Sequence, residues 1–152
     1  MKKTKLKKKS KSRISLLKRK LWEFCKTIIR VRDGNICVIC GKKNLEKGGW
    51  HTGHFLPSST CGAFLRYDLR NLHSSCYNCN INLGGNGALY YLALIDKFGK
   101  AFVDSIIKDR QKSIKADETF YNNKIKEYEE ISSWSKDKLL NHTKIYTGQS
   151  PL

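Results

Sequence analysis

The spacing of apolar positions changes twice along this chain, and each change marks a different kind of element. Leu17, Leu21, Cys25, Ile28 and Ile29 recur at intervals of three and four, with Trp22 and Phe24 widening the stripe. That period lays one apolar face along a helix opening near Ser15, and the turn signal RDGN (Arg32 to Asn35) ends it. From 36 to 80 the period is lost among Gly, Cys, His and Asn. Within this stretch Trp50 to Leu56 and Ala63 to Tyr67 read as two strands, joined by the loop PSSTCG (Pro57 to Gly62). Beyond Cys76 the helical period returns. Leu89, Leu92, Ala93 and Leu94 lead to Phe98 and a stop at Gly99. Phe102, Val103, Ile106 and Ile107 mark a short helix, and Phe120, Tyr121, Ile125, Tyr128 and Trp134 mark a last one from near Asp117 past Ile131. The tail HTKIYTGQSPL has no clear period.

The pattern predicts an α+β fold: a small hairpin core over 36–98 with helices on both sides. It forms one domain over 15–134, between a basic tail at 1–14 and a C-terminal tail at 135–152. Apolar residues make up 39% of 152, enough for a real core but one small enough to benefit from a staple. No apolar run approaches the ~20 residues of a membrane span, and the basic N-terminus lacks the apolar run and cleavage site of a signal peptide. A cytoplasmic location is expected.

Charge narrows the partner. There are 30 basic and 13 acidic residues, a net charge of +17, and eleven of the first twenty residues are Lys or Arg. The remainder still holds 19 basic against 13 acidic residues. A field of this sign favours phosphate polyanions, and Lys7, Lys8 and Lys9 lie in its densest stretch. A solubility tail or an acidic-membrane anchor would explain the tail but not the basic body.

Six cysteines without a secretory signal argue against a disulfide framework. Four of them form two C-x-x-C knuckles, CVIC (Cys37, Cys40) and CYNC (Cys76, Cys79), separated by 35 residues. Each pair turns two sulfurs toward one ion, and four thiolates in a tetrahedron suit a structural zinc with no open position for catalysis. Cys25 and Cys61, outside the knuckles, read as a buried helix thiol and a loop thiol.

Between and beyond the knuckles stand His54 in WHTGHF, Asn71 in LRNLH, and Asn80 directly after the second knuckle. This order resembles the HNH nuclease motif in its His-Asn-Asn variant, which implies a ββα-metal, treble-clef-like finger around zinc. The run G-H-F, L-R-Y, R-N-L-H and C-x-x-C-N is similar to the phage lambda NinG (Rap) recombination-protein family, across most of residues 24–130. That resemblance implies a metal-dependent endonuclease acting on branched recombination intermediates, D-loops and Holliday junctions, encoded by a phage or prophage and acting in a bacterial cytoplasm.

The roles it implies agree with residue chemistry. His54 would be the general base, Asn80 a ligand for Mg2+ or Mn2+ in addition to the zinc, and Asn71 a bracket holding the hairpin by backbone hydrogen bonds. Gly53 stands where many HNH sites carry a ligand, so His51 is expected to take over if a bulge at Thr52 or Gly53 turns it toward Asn80. His73 is a further candidate for the cation or a phosphate, with packing beside the zinc cluster as the other reading. Arg66, Arg70 and the glycines of GGN (Gly84 to Asn86) could hold phosphates. His54 as a plain strand residue, His51 as a solvent-exposed histidine, Asn80 as a helix cap and solvated arginines are the bland readings. A non-catalytic zinc module binding DNA or RNA is the alternative function, and a ribosome-associated RNA binder a third that leaves His54 and Asn80 unexplained. A homodimer would suit a symmetric junction, and the C-terminal helices offer either its face or the completion of the core.

Overall fold

The computed structural model describes the backbone of residues 2–145 and the side chains of residues 13–143. Helix α1 spans Lys2–Asp33 without a break at residue 14. Lys7, Lys8 and Lys9 fall inside its bounds, and their side chains lie outside the described residues. Its predicted stripe is the face it buries: Leu21, Cys25, Ile28 and Ile29 are all 0% exposed. Each such Leu or Ile contributes ~1.5–3 kcal/mol.

The sheet has two strands, β1 (Trp50–His54) and β2 (Leu72–Cys76). They pair antiparallel from Trp50 opposite Cys76 to His54 opposite Leu72. The second predicted strand was misplaced. Residues Ala63–Arg66 form a single helical turn, α2, and the partner strand is the segment just before the second knuckle. β-propensity at Phe64, Leu65 and Tyr67 loses there to packing, because Leu65 turns into the core.

C-terminal to the sheet come α3 (Gly87–Phe98), α4 (Lys100–Lys108), α5 (Glu118–Ile131) and α6 (Lys136–Ile145). Gly99, at φ 86°, ends α3 and leads directly into α4, a conformation that favours glycine. Asp117 caps α5 by accepting the Phe120 N–H. Helix α6 takes up 136–145 of the stretch read as a C-terminal tail, with Leu139 2% exposed as its anchor; of HTKIYTGQSPL, residues 142–145 belong to it and the rest lie outside the described residues. The apolar face of α3 also differs from expectation. Tyr90, Leu94 and Phe98 point inward, whereas Leu89 and Leu92 are 50% and 59% exposed.

The sheet lies between two cores. One gathers the knuckle cysteines with Phe55, Leu65, Tyr90, Leu94, Phe98, Phe102, Val103 and Ile106. The other packs α1 against α5 and α6, with Tyr67, Leu69 and Leu72 beneath. Tyr121, Tyr128 and Ile131 are buried there, so the C-terminal helices complete the monomer's own core.

A buried ion pair ties α1 to the sheet. Arg32 donates two hydrogen bonds to Asp33, of 2.7 and 2.9 Å, and reaches the carbonyls of Leu69 and Leu72. Asp33 in turn accepts the Ser74 N–H at 3.0 Å. Burial works against the Asp33 charge, but the Arg32 guanidinium outweighs it and holds the carboxyl well below the usual range. RDGN is thus a clamp on β2 as well as a turn.

Candidate active site and metal centre

The four knuckle sulfurs lie within 4.8 Å of one another. Cys40 and Cys76 are 3.8 Å apart, the edge expected of sulfurs placed tetrahedrally at ~2.3 Å from one ion. Turns position the thiols: Gly41 N–H closes on the Cys37 carbonyl at 2.9 Å, and Cys37 N–H on that of Lys42 at 2.8 Å. Burial pushes the Cys79 thiol up to about 12. Four sulfurs gathered this closely as thiolates would need a cation to offset their charge, and the donor set fits zinc or a metal of similar softness.

The second knuckle runs straight into a π-helical turn, Asn78–Asn82, which carries Asn80. Such turns recur at functional sites because the extra residue re-aims its neighbours. Asn80 and His54 line one cleft of about 250 Å³ with Phe55, Pro57, Ser58, Gly84, Gly85 and Gly87. The glycines of GGN thus face the same space as the histidine.

His54 is held in a defined tautomer. Its Nε2 lies 2.9 Å from the carbonyl oxygen of Arg66. A carbonyl can only accept, so Nε2 carries the proton and Nδ1 keeps its lone pair. Burial lowers the pKa of His54, the Arg66 carbonyl offsets part of this, and the Arg66 charge lowers it further. The ring is therefore neutral near pH 7. Its face is covered by Trp22 of α1, with ring centroids 5.4 Å apart and planes 3° from parallel.

Asn71 is the bracket. Its Oδ1 accepts the Leu56 N–H at 2.7 Å, and its Nδ2 donates to the Leu56 and Leu65 carbonyls at 3.1 Å each. It is 0% exposed and does not line the cleft. By gripping α2 one residue before Arg66, it fixes the carbonyl that orients His54.

Gly53 admits no side chain as the site stands. A Cβ there would lie 2.7 Å from Ser75 Oγ and 3.0 Å from Asn80 Oδ1. The space of the expected ligand is filled by Ser75 and Asn80. The bulge that would have brought His51 to the side of His54 is absent, since the pairing is continuous through Thr52 and Gly53. His51 shares a strand face with Gly53 instead, about 6.6 Å further along. It lines a different cleft, and its Nε2 has no hydrogen-bond partner among the described residues.

Two other expected site residues belong to the interior. His73 is 0% exposed, with rings of Tyr90, Phe98 and Phe102 around it. Burial, and then the Arg32 charge, lower its pKa well below the ordinary value. Its Nδ1 lies 3.1 Å from the Tyr90 hydroxyl, which donates to the Gly53 carbonyl at 3.1 Å. It is a core residue supporting β1 and has no opening toward a solvated cation. Arg70 is 5% exposed and committed to Asp68, Asp109 and Ser105. Two carboxylates already pair with it, which tells against the phosphate contact expected from the sequence. Arg66 is half-buried beside the cleft, one guanidinium nitrogen donating to the Ser58 carbonyl at 2.7 Å. Sequence reasoning missed the roles of Trp22, read only as widening the α1 stripe, of Tyr90, and of Arg32 and Asp33, read only as part of a turn.

The family described as "Bacteriophage Lambda NinG protein" matches residues 1–140. The chain is 34% identical over 115 residues to Protein ninG of Salmonella phage P22, covering 69% of this chain and 54% of that protein. It is 37% identical over 79 residues to Protein ninG of Escherichia phage 933W, covering 51% and 38%, and 35% identical over 79 residues to that of Escherichia phage lambda, covering 51% and 37%. The chain thus matches about half or less of these relatives' length. No solved structure matches it.

Proposed function

The chain belongs to the phage NinG family, and from that premise we propose that it is a metal-dependent DNA endonuclease of HNH type acting on branched recombination intermediates such as D-loops and Holliday junctions. The observation that carries the reading is the neutral His54, its Nε2 bound to the Arg66 carbonyl, in one cleft with Asn80. A simple strand histidine has no need of a fixed tautomer, a backbone orienter and an open cleft.

In this reading His54 Nδ1 takes the proton of the attacking water as the new P–O bond forms. Trp22 and Arg66 hold the ring so that this nitrogen keeps its aim. A bound Mg2+ or Mn2+ would polarise the scissile phosphate and neutralise the leaving oxygen. Asn80 is the residue that would hold it. Among the described residues the knuckle cysteines are the one cluster of three or more His, Cys, Asp or Glu able to hold a metal, and at the cleft Asn80 would offer the catalytic cation a neutral amide as donor. Such a set fits a hard cation that arrives with the substrate phosphate and keeps most of its waters. A zinc held by the four cysteines would fix the start of the turn that carries Asn80 and, with no open position, would take no part in the reaction.

The test uses the zinc-loaded protein with a labelled four-way junction, a D-loop and linear duplex, with Mg2+, Mn2+ or EDTA. Metal-dependent cutting of the branched substrates that His54→Ala abolishes supports the reading. Binding without cutting favours a DNA-binding accessory module.

A further inference from the structure

A second cleft, about 480 Å³, lies between α1 and β1 and contains neither His54 nor Asn80. One wall is α1, with Trp22, Glu23, Lys26, Thr27 and Arg30; facing it are Trp50, His51 and Thr52 of β1, with Lys47 from the loop before. Three cations therefore stand in one groove against Glu23, which is paired with Lys26 at 2.7 Å.

The two walls run side by side over a defined length. Trp22 stacks on His54 at one end, and the Arg30 guanidinium lies over the Trp50 ring, 4.7 Å from its centroid, at the other. From Trp22 to Arg30 the helix rises about 12 Å, and from His54 to Trp50 the strand rises about 13 Å. Trp22, Lys26 and Arg30 follow one another at intervals of four, on a single helix stripe leading away from His54. The stacked pair joins the clefts, since Trp22 lines the basic one and His54 the catalytic one.

We propose that this groove seats one DNA strand continuing from the scissile phosphate at His54, with its phosphates held by Lys26, Arg30 and Lys47. The proposal rests on the endonuclease reading for its direction and adds the path of the substrate. A length of about 12 Å suits a short run of some three phosphates, one for each cation of the groove. The recognition is electrostatic and indifferent to sequence, as a substrate defined by its branching requires.

The experiment measures the affinity of the full, zinc-loaded chain for a labelled four-way DNA junction as a function of NaCl, with Mg2+ omitted so that nothing is cut. The variant Lys26→Gln/Arg30→Gln/Lys47→Gln is compared with Lys42→Gln/Lys43→Gln/Lys108→Gln, which removes the same charge at exposed positions elsewhere. The groove variant should bind roughly 10- to 100-fold more weakly and flatten the salt slope by about two; the control should lose less than about threefold. Because Arg30 also covers Trp50, the double variant Lys26→Gln/Lys47→Gln keeps that contact and should still flatten the slope by about 1.5. Equal losses in groove and control variants, or a groove variant that binds like wild type, overturn the proposal, as does a wild type with no affinity for DNA. A wild type that binds through the groove but never cuts with Mg2+ present overturns the endonuclease reading and leaves the groove standing.

Discussion

The indole of Trp22 and the imidazole of His54 lie stacked, 5.4 Å between centroids and 3° from parallel, although 31 residues, from the rest of α1 through the first knuckle into β1, separate them in sequence. Through this contact α1, which carries no part of the HNH-like motif, becomes part of the site. The ring face is taken by Trp22 and Nε2 by the Arg66 carbonyl, so Nδ1 is the nitrogen left for chemistry.

Trp22→Leu should therefore lower the cleavage rate about tenfold with little change in DNA affinity, because it loosens the aim of His54 without removing a charge. Trp22→Phe, which keeps a stacking ring, should recover most of the rate. Single-turnover rates alongside equilibrium affinities check this; a loss confined to affinity would contradict it.

Asn71→Ala removes three hydrogen bonds to the backbone and leaves the Leu56 N–H without its partner. The expected cost is about 2–4 kcal/mol, read as a lower urea midpoint. Asn71→Asp should be no better, since an acceptor would then face the Leu56 and Leu65 carbonyls.

The fold was legible where one face of an element decides its burial, and less so where two elements compete. The stripe Leu21, Cys25, Ile28 and Ile29 gave the buried face of α1 directly. The knuckle spacing gave the sulfur cluster, because two C-x-x-C turns need only come together for four thiols to meet. Residues 63–67 misled because Phe, Leu and Tyr suit a strand or a packed turn equally, and only Asn71 gripping the Leu65 carbonyl decides. Arg70 and His73 read as site residues from their neighbours in sequence, but Asp109 and Phe102, more than 25 residues away, set their surroundings. Gly53 could be seen as a departure, whereas its cause, the approach of Asn80 and Ser75, exists only in three dimensions.

Gly53→Asp should not restore a lost ligand. Its Cβ would meet Ser75 Oγ and Asn80 Oδ1, so one of them must move. Both are ends of short side chains, which keeps the stability cost near about 1–2 kcal/mol. The displacement of Asn80 should lower metal-dependent cleavage. A variant with higher activity at low Mg2+ would contradict this account of the cleft.

Stability should fall as pH drops below about 6.5. Burial depresses the pKa of His54 and, much further, of His73, which faces Arg32 and Asp33 from α1 and Tyr90 and Lys97 from α3. With folded values below the unfolded ~6.5, the unfolded chain binds more protons in this window. The stability present above pH 6.5 is therefore lost on acidification toward the folded values. Asp33, also depressed, adds its loss only below about pH 4. Urea midpoints from pH 7.5 to 5.5 should decline in the wild type and less steeply in His73→Phe; equal slopes would contradict the assignment.

Removing the metal should unfold the sheet and its knuckles. One zinc per chain is expected, and Cys76→Ser should cost several kcal/mol, because metal binding and folding are coupled at such a centre. Metal analysis paired with thermal melting tests this, and a metal-free chain with unchanged melting would contradict it.

The most direct measurement is the single-turnover rate of four-way junction cleavage by zinc-loaded wild type and His54→Ala, with Mg2+ or Mn2+, at saturating protein. If His54 Nδ1 is the base, the variant should bind the junction as wild type does and cut it about 10²- to 10⁴-fold more slowly. Equal rates in the two proteins, or a wild type that binds junctions in either metal and never cuts, would contradict it.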